Sequence, residues 1–254
     1  MTDFRLCIAT TTYKRPELTK AVQEWWASLN MPEVCGFVWA GDYEPDNFPK
    51  HEDDIGAFMD ATGREWVYPF CPDSVPLGRK HNWALNHCRY TYHAVMVIGS
   101  DDIVQPELII NSVEAIKAGS WWARPTGLYF WEPATDRVAK APGRCISGGG
   151  RVYSRKLLDM MDWTLWDDDI NSKLDGNAET RIMEAGRAHK IWVGPDDVKG
   201  AVLSIKTEEN LWPYDAAVNT TRATPVDKRI LDTFEIERLS YRGIGQARLR
   251  DAGQ

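Results

Sequence analysis

An uninterrupted apolar run, Ala94-Val95-Met96-Val97-Ile98, is followed within three residues by two adjacent carboxylates, Asp101 and Asp102. Five apolar residues without alternation are typical of a central parallel strand that is covered on both faces. In open α/β sheets, ligands bind just outside the carboxyl ends of the strands. Two hard oxygen ligands at that edge predict a divalent cation site facing a diphosphate. The alternative is that one aspartate only caps a helix beginning near Pro106.

Strand and helix patterns alternate along the first half of the chain. Strands are predicted at 4–10, 36–40, 65–68 and 94–98, and helices begin near residues 16, 77 and 106. Alternation of this kind favours a single α/β domain with a Rossmann-like, mainly parallel sheet flanked by helices. In the second half we predict strands at 120–131, 137–141, 190–193 and 201–205, and helices at 153–161, 175–185 and 225–239. Gly186 is the expected residue just past the end of its helix.

Composition narrows the class of protein. The 254 residues carry a formal net charge of −7, so the whole chain has no basic footprint for a polyanion. No segment is apolar enough to cross a membrane, and the N-terminus lacks a signal-peptide pattern, so we expect a cytoplasmic protein. The five cysteines are widely spaced and lack a Cys-x-x-Cys pair, which indicates reduced thiols. Residues 241–254 form a basic tail that we expect to be mobile or to pack on a second subunit, together with the final helix.

The chain lacks the common glycine-rich phosphate loops. No Gly-x-Gly-x-x-Gly follows the first strand, and no Gly-x4-Gly-Lys-Ser/Thr occurs anywhere. A bound phosphate must therefore be neutralised by a metal ion and by basic side chains.

Four segments, in this order, resemble the family-2 glycosyltransferases of the GT-A fold. Thr10-Thr11-Thr12-Tyr13-Lys14-Arg15-Pro16 is similar to the turn after the family's first strand, and Asp42 lies where its base-contacting aspartate lies. Gly78-Arg79-Lys80-His81-Asn82 is similar to its Gly-x-Lys-Arg-Asn segment. Gly99-Ser100-Asp101-Asp102 and the following Pro-Glu helix resemble its Asp-x-Asp-Asp motif.

A fifth similarity bears on the chemistry. Asp175 and Arg181 have the spacing of the family's Glu-Asp-x5-Arg helix, in which the aspartate is the catalytic base. The resemblance therefore implies Asp175 as general base and Asp101 with Asp102 as ligands of Mn²⁺ or Mg²⁺. The cofactor-binding residues that it implies, together with nearby basic side chains, are Thr10, Thr12, Tyr13, Arg15, Asp42, Gly78, Arg79, Lys80, Asn82, Ser100 and Lys206. The nucleotide-sugar half is expected at 1–105 and the acceptor half at 106–240.

Two departures modify this interpretation. Gly99 stands where the first aspartate of Asp-x-Asp is expected, so a ribose contact is lost or passes to Ser100. Leu174 replaces the glutamate before the base, and the Gln-x-x-Arg-Trp motif of processive synthases is missing. We therefore expect a transferase that adds one sugar, from a nucleoside-diphosphate sugar such as UDP-sugar to an acceptor hydroxyl, with inversion.

Several alternatives remain open at this stage. Asp175 could be a helix N-cap, Asp42 a turn residue, and Arg79 with Lys80 an exposed helix start. A nucleotidyltransferase would share the sheet and the carboxylates, and a non-catalytic sugar or nucleic-acid binder would share the tryptophans, of which there are twelve. We expect the acceptor to be a glycan or a hydroxymethylated pyrimidine in phage DNA. Trp163 and Trp166, beside the predicted base, are candidates for an acceptor platform.

Overall fold

One continuous sheet forms the centre of the protein in the computed structural model, which describes residues 4–12, 15–42, 63–67, 69–71, 75–142, 149–207, 210 and 213–239. Its strands are β1 (Leu6–Thr12), β2 (Val34–Asp42), β3 (Glu65–Val67), β4 (Phe70–Cys71), β5 (Ala94–Gly99), β6 (Asp102–Val104), β7 (Trp122–Glu132), β8 (Arg137–Lys140), β9 (Arg151–Ser154), β10 (Asp196–Ile205) and β11 (Thr224–Pro225). The helices are α1 (Pro16–Ser28), α2 (Leu77–Cys88), α3 (Pro106–Lys117), α4 (Arg155–Met160), α5 (Leu174–Ala188) and α6 (Tyr214–Thr221). Two 3-10 helices follow, at Lys228–Phe234 and Ile236–Arg238.

The strand order is β11-β8-β7-β9-β5-β1-β2-β3, with β4 also paired to β2 and with β10 joining β7 to β6. Strands β5, β1, β2 and β3 are parallel to one another. Strand β9 is antiparallel to both β5 and β7, whereas β10 is parallel to β7. The predicted α/β class, with a mainly parallel Rossmann-like centre flanked by helices, is confirmed.

Both faces of the parallel centre are covered, as the unbroken apolar run predicts. On β1, Leu6 and Ile8 belong to the core that includes α1, while Cys7 and Ala9 belong to the core that includes α2 and α5. Helix α1 presents adjacent tryptophans in different directions. The indole of Trp25 donates to the Phe234 carbonyl at 3.1 Å, and the indole of Trp26 donates to the Asp102 carbonyl at 3.3 Å.

Strand register brings the carboxyl ends of the central strands to one level. Thr11 of β1 pairs with Gly99 of β5, and Thr12 pairs with Gly41 of β2. The residues that follow these three strands therefore meet at a single edge of the sheet.

The end of α5 differs from the prediction. Gly186 lies inside the helix, which continues to Ala188. Glycine is needed there for packing, because a Cβ would come within 2.3 Å of Val193 Cγ2. Residues 190–193 are not a strand. Their backbone is bound instead by the helix end and by the core, through Ile191 N–H to the Gly186 carbonyl and Trp122 Nε1 to the Val193 carbonyl.

The predicted helix at 225–239 is also wrong. Pro225 pairs with Ala139 in β11, Asp227 accepts a hydrogen bond from Arg229 N–H and starts a 3-10 helix, and Glu235 interrupts it with a positive φ of 50°. The predicted helix at 153–161 begins later, at Arg155, because the residues before it form β9. Strand β6 and helix α6 have no counterpart in the predicted elements.

No helix in the described part of the chain has the length and apolar character needed to span a bilayer. The basic tail at 241–254 and residues 143–148 lie outside the described residues.

Candidate functional site

The candidate site begins where β5 ends. Gly99 closes β5, Ser100 and Asp101 turn the chain, and Asp102 opens β6. Strand β6 runs antiparallel to β10, with Asp102 opposite Ser204, so the last residues of β10 reach the same edge. The backbone confirms this meeting point, because Ile205 N–H donates to the Asp101 carbonyl at 2.8 Å.

Asp101 is surrounded by three donors, one from the segment after β1 and two from the segment after β10. Its Oδ2 accepts from Asn210 Nδ2 at 2.5 Å, and lies 3.4 Å from both Arg15 Nη1 and Lys206 Nζ. Burial raises the pKa of Asp101, but the positive charges of Lys206 and Arg15 outweigh it, and the net shift is downward. Asp101 is therefore ionised at neutral pH and pairs with two cations.

Asp102 has a different environment. Its Oδ2 accepts from Gly99 N–H at 3.2 Å. Its Oδ1 is buried and accepts no hydrogen bond of ordinary geometry from the described residues, although the Ser204 hydroxyl is close enough to lower the pKa. Burial and the neighbouring charge of Asp101 raise the pKa of Asp102 to about 6. Two adjacent carboxylates thus differ in their readiness to carry charge.

Gly99 is required by this arrangement. A Cβ at position 99 would come within 2.6 Å of Asp102 Oδ2 and 3.0 Å of Asp101 Oδ1. The two carboxylates therefore converge over the glycine, in the space that a side chain would fill. A larger side chain at position 99 would have to displace at least one of the two carboxylates.

The donor set fits a small divalent cation with few protein ligands. Within the described ranges, no group of three or more His, Cys, Asp or Glu side chains is arranged to hold a metal ion. Asp101 and Asp102 are two adjacent carboxylates at this edge that could hold one. Mg²⁺ is commonly bound by one or two carboxylates and completed by phosphates and water. The buried Asp102 Oδ1 supplies an oxygen without a geometric hydrogen-bond donor for such an ion.

The first strand contributes backbone and basic groups to this edge. Thr10 and Thr12 are buried at the end of β1, and Thr10 Oγ1 donates to the Thr11 carbonyl at 3.5 Å. Arg15 Nη2 donates to Ser100 Oγ at 3.1 Å. This hydrogen bond joins two residues that were predicted to bind the nucleotide-sugar. Tyr13 and the side chain of Asp42 lie outside the described residues, although the backbone of Asp42 ends β2.

Two of the predicted α2 residues contact the segment 163–170. A Cβ on Gly78 would come within 2.2 Å of the Asp167 carbonyl oxygen, so this glycine allows close packing. Asn82 Oδ1 accepts from the backbone N–H groups of Leu165 and Trp166, and its Nδ2 donates to the Trp166 carbonyl and to Asp168 Oδ1. These contacts give both residues an architectural role.

The remaining α2 residues are basic. Arg79 is half exposed, and its Nε lies 3.7 Å from Asp168 Oδ2. Lys80 is buried, which lowers its pKa to about 8. His81 follows Lys80, and its Nε2 lies 3.5 Å from Thr11 Oγ1. Burial and the charge of Lys80 lower the pKa of His81 to about 4, so its imidazole is neutral at pH 7.

Asp175 is the second residue of α5 and is half-buried. Lys173, in a left-handed conformation, occupies the N-cap position, so Asp175 is not the N-cap that the alternative predicts. Arg151 Nη1 donates to the Asp175 carbonyl at 3.4 Å. Arg181, at the predicted spacing, forms an ion pair with Asp167 and donates to the Thr164 carbonyl at 3.2 Å.

Trp163 and Trp166 are almost fully buried, which contradicts the prediction of an acceptor platform. Their indoles donate to Asp159 Oδ1 and to the Leu174 carbonyl. The Asp167–Asp169 run has a similar structural use, since Asp167 accepts from Asn177 Nδ2 at 2.6 Å.

Two residues beside these groups were missed from the sequence. Asn210 gave no signal, because it binds Asp101 across 109 positions of the chain. Arg151 gave none either, because its burial depends on the pairing of β9 with β5.

No protein-family model matches this chain, and no curated protein matches it. A search of the solved structures finds, among others, the crystal structure of 4-diphosphocytidyl-2C-methyl-D-erythritol synthase from Anaerococcus prevotii DSM 20548. The two share 10% sequence identity over 78% of this chain and 88% of that chain, with a TM-score of 0.43. Similarity this distant allows no inference about activity.

Proposed function

We propose that this protein is a glycosyltransferase that moves one sugar from a nucleoside-diphosphate sugar to an acceptor hydroxyl, with inversion. The observation that carries the proposal is the charge arrangement at the end of β5. There Asp101 and Asp102 converge over Gly99, and Arg15 and Lys206 approach Asp101 from two other segments. Anionic and cationic groups that alternate at one sheet edge suit a diphosphate with its counterion.

Asp101 and Asp102 would hold Mn²⁺ or Mg²⁺, which when bound neutralises charge on the diphosphate. Arg15 and Lys206 lie beside these carboxylates and would add cationic contacts to the phosphate oxygens as the leaving group becomes charged. Ser100, bound by Arg15, would contact the ribose. Thr10, Thr12, Tyr13 and Asp42 would line the nucleotide side, with UDP the expected carrier, and Gly78, Arg79, Lys80 and Asn82 would border it.

Asp175 would act as the general base. Its carboxylate would accept the proton of the acceptor hydroxyl while that oxygen forms a bond to the anomeric carbon. The bond between the anomeric carbon and the diphosphate oxygen breaks, and the nucleoside diphosphate leaves with the electron pair. Attack opposite the leaving group inverts the anomeric configuration. A glycan hydroxyl or the hydroxyl of a hydroxymethylated pyrimidine has the required chemistry.

A product assay tests the proposal. Purified protein and MnCl₂ are incubated in separate reactions with UDP-, GDP- or dTDP-sugars. A further set of reactions contains nucleoside triphosphates with sugar phosphates. Release of a nucleoside diphosphate, lost in Asp175→Asn and kept in Lys199→Met, is the expected result. Lys199 is a suitable control because it is an exposed lysine of β10 that pairs with Glu107.

Two outcomes would contradict the proposal. Pyrophosphate release from a nucleoside triphosphate would identify a nucleotidyltransferase instead. Failure of every donor both to bind in calorimetry and to turn over would leave only the non-catalytic alternative.

A further inference from the structure

The least exposed charged side chain in the described part of the chain is Arg151, at 1% relative exposure. It opens β9, opposite Val97 of β5, two residues before the end of that strand. Gly150 N–H donates to the Val97 carbonyl at 2.8 Å, which fixes this register. A full positive charge is therefore placed in the core, directly beneath the edge described above.

Two partners of Arg151 lie on one face of α5. Its Nη1 donates to the Asp175 carbonyl at 3.4 Å, and its Nη2 lies 3.6 Å from Glu179 Oε1. Asp175 and Glu179 are four positions apart, so they lie one turn apart on the same side of the helix. One guanidinium thus spans the first turn of α5, whose N-cap residue makes no side-chain capping bond.

The surroundings keep this charge in place. The guanidinium carbon lies 5.4 Å from the centre of the Trp122 ring. Arg124 approaches from β7 and shares Glu179 Oε1 at 3.0 Å, while its Nε pairs with Asp197 at 2.6 Å. Burial lowers the pKa of the Arg151 guanidinium, but Tyr153, followed by the charges of Asp175 and Glu179, raises it above its ordinary value.

We propose that Arg151 is the positioning residue of Asp175: it anchors the first turn of α5 and keeps the Asp175 carboxylate ionised for proton transfer. This inference rests on the role of general base proposed for Asp175. A buried cation beside a carboxylate favours the charged form of that carboxylate. An uncharged residue that only packs against α5 would have no such effect on the titration of Asp175.

Carboxyl-carbon NMR titration tests this without relying on turnover. The Asp175 resonance is assigned by its absence in Asp175→Asn and followed with pH in wild type, Arg151→Met, Arg151→Lys and Arg124→Met. We expect Arg151→Met to raise the pKa of Asp175 by about one unit or more, and Arg151→Lys to restore most of the difference. Arg124→Met, which alters the contacts of Glu179 and Asp197, should leave it nearly unchanged.

Kinetics supply the second measurement. The acid limb of the kcat profile should move upward in Arg151→Met, while KM for the donor changes by less than about threefold. An unchanged Asp175 titration in folded Arg151→Met, or an equal shift in Arg124→Met, would overturn the inference. If Arg151→Met does not fold, Arg151→Gln, which removes the charge but can still donate to the Asp175 carbonyl, takes its place, and an unchanged Asp175 titration in that variant would refute positioning. Full transfer by Asp175→Asn would instead refute the base assignment in the proposed function.

Discussion

Asn210 Nδ2 and Asp101 Oδ2 are 2.5 Å apart although 109 positions separate them in the chain. Asn210 also accepts, through Oδ1, from Thr207 N–H at 2.6 Å, so the segment after β10 is folded against the end of β5. Lys206 lies in the same segment and contacts the same carboxylate oxygen. The charge of Asp101 is therefore coupled to the conformation of this distant segment.

Removal of Lys206 should weaken the binding of a nucleoside diphosphate. Lys206→Met deletes one of the two cations beside Asp101, and we expect about tenfold weaker UDP binding with Mn²⁺, or roughly 1.4 kcal/mol. Isothermal titration calorimetry measures the change. Lys199→Met is the control, since Lys199 is an exposed lysine on the preceding strand, β10. Equal affinities for both variants would contradict a role of Lys206 at the site.

Restoring a side chain at position 99 should damage the protein. A Cβ at Gly99 would collide with Asp102 Oδ2 at 2.6 Å, so Gly99→Ala should lower the free energy of unfolding by about 1–3 kcal/mol. Gly99→Asp should be worse because it adds a third carboxylate beside Asp101 and Asp102. Urea unfolding is the measurement.

Gly176→Ala is the matched control for the substitutions at Gly99. It lies in α5 with no atom within 4 Å of its missing Cβ, and should be neutral or stabilising by roughly 0.5–1 kcal/mol. Wild-type stability in Gly99→Asp would show that the two aspartates do not converge there.

Asn82→Ala should destabilise the segment 163–170. The substitution removes the two hydrogen bonds that Oδ1 accepts and the two that Nδ2 donates. The Leu165 and Trp166 N–H groups are then left unsatisfied in the core. We expect a loss of at least about 2 kcal/mol of unfolding free energy. Hydrogen exchange should show faster exchange at these two amides, whereas unchanged protection would refute the contact. Thr221→Ala, a partly buried site on α6, is a remote comparison.

The unfolding free energy should depend on pH through Asp102. Its folded pKa of about 6 lies above the ordinary 3.8, so between these values the folded protein keeps a proton that the unfolded chain has lost. Stability from this group is therefore present below pH 4 and falls as pH rises to 6, by up to about 3 kcal/mol. Wild type and Asp102→Asn are compared by urea unfolding in a chelator. A constant difference between them from pH 4 to 7 would contradict the shift.

Local patterns predicted the parallel half of the fold well. The apolar run at 94–98 and the helical stripe after Pro16 each correspond to one element, because burial on both faces and a single amphipathic face leave clear signals. Strand β6 was missed because Asp102, Ile103 and Val104 are too few to show a period. The region 225–239 was misread because its apolar residues fit a helix, whereas Asp227 and Glu235 divide it.

The candidate site was predictable only in part. Asp101 and Asp102 follow a strand, and a charge at a strand end marks the edge of a sheet. Asn210 depends on a long-range contact, and Arg151 on the pairing of β9 with β5, neither of which leaves a local pattern. The tryptophans at 163 and 166 show the opposite error, since aromatic residues near a predicted base were interpreted as exposed although the core required them.

The two indoles of α1 have a consequence for the far end of the chain. Trp25 is tied to the carbonyl of Phe234 and Trp26 to that of Asp102, so a single helical turn touches both the C-terminal 3-10 segment and the strand that bears the second carboxylate. Truncation before residue 234 would expose Trp25, remove the acceptor of its indole hydrogen bond and weaken the packing of α1. Loss of the last described residues would therefore also disturb Asp101 and Asp102, more than 130 positions earlier in the chain.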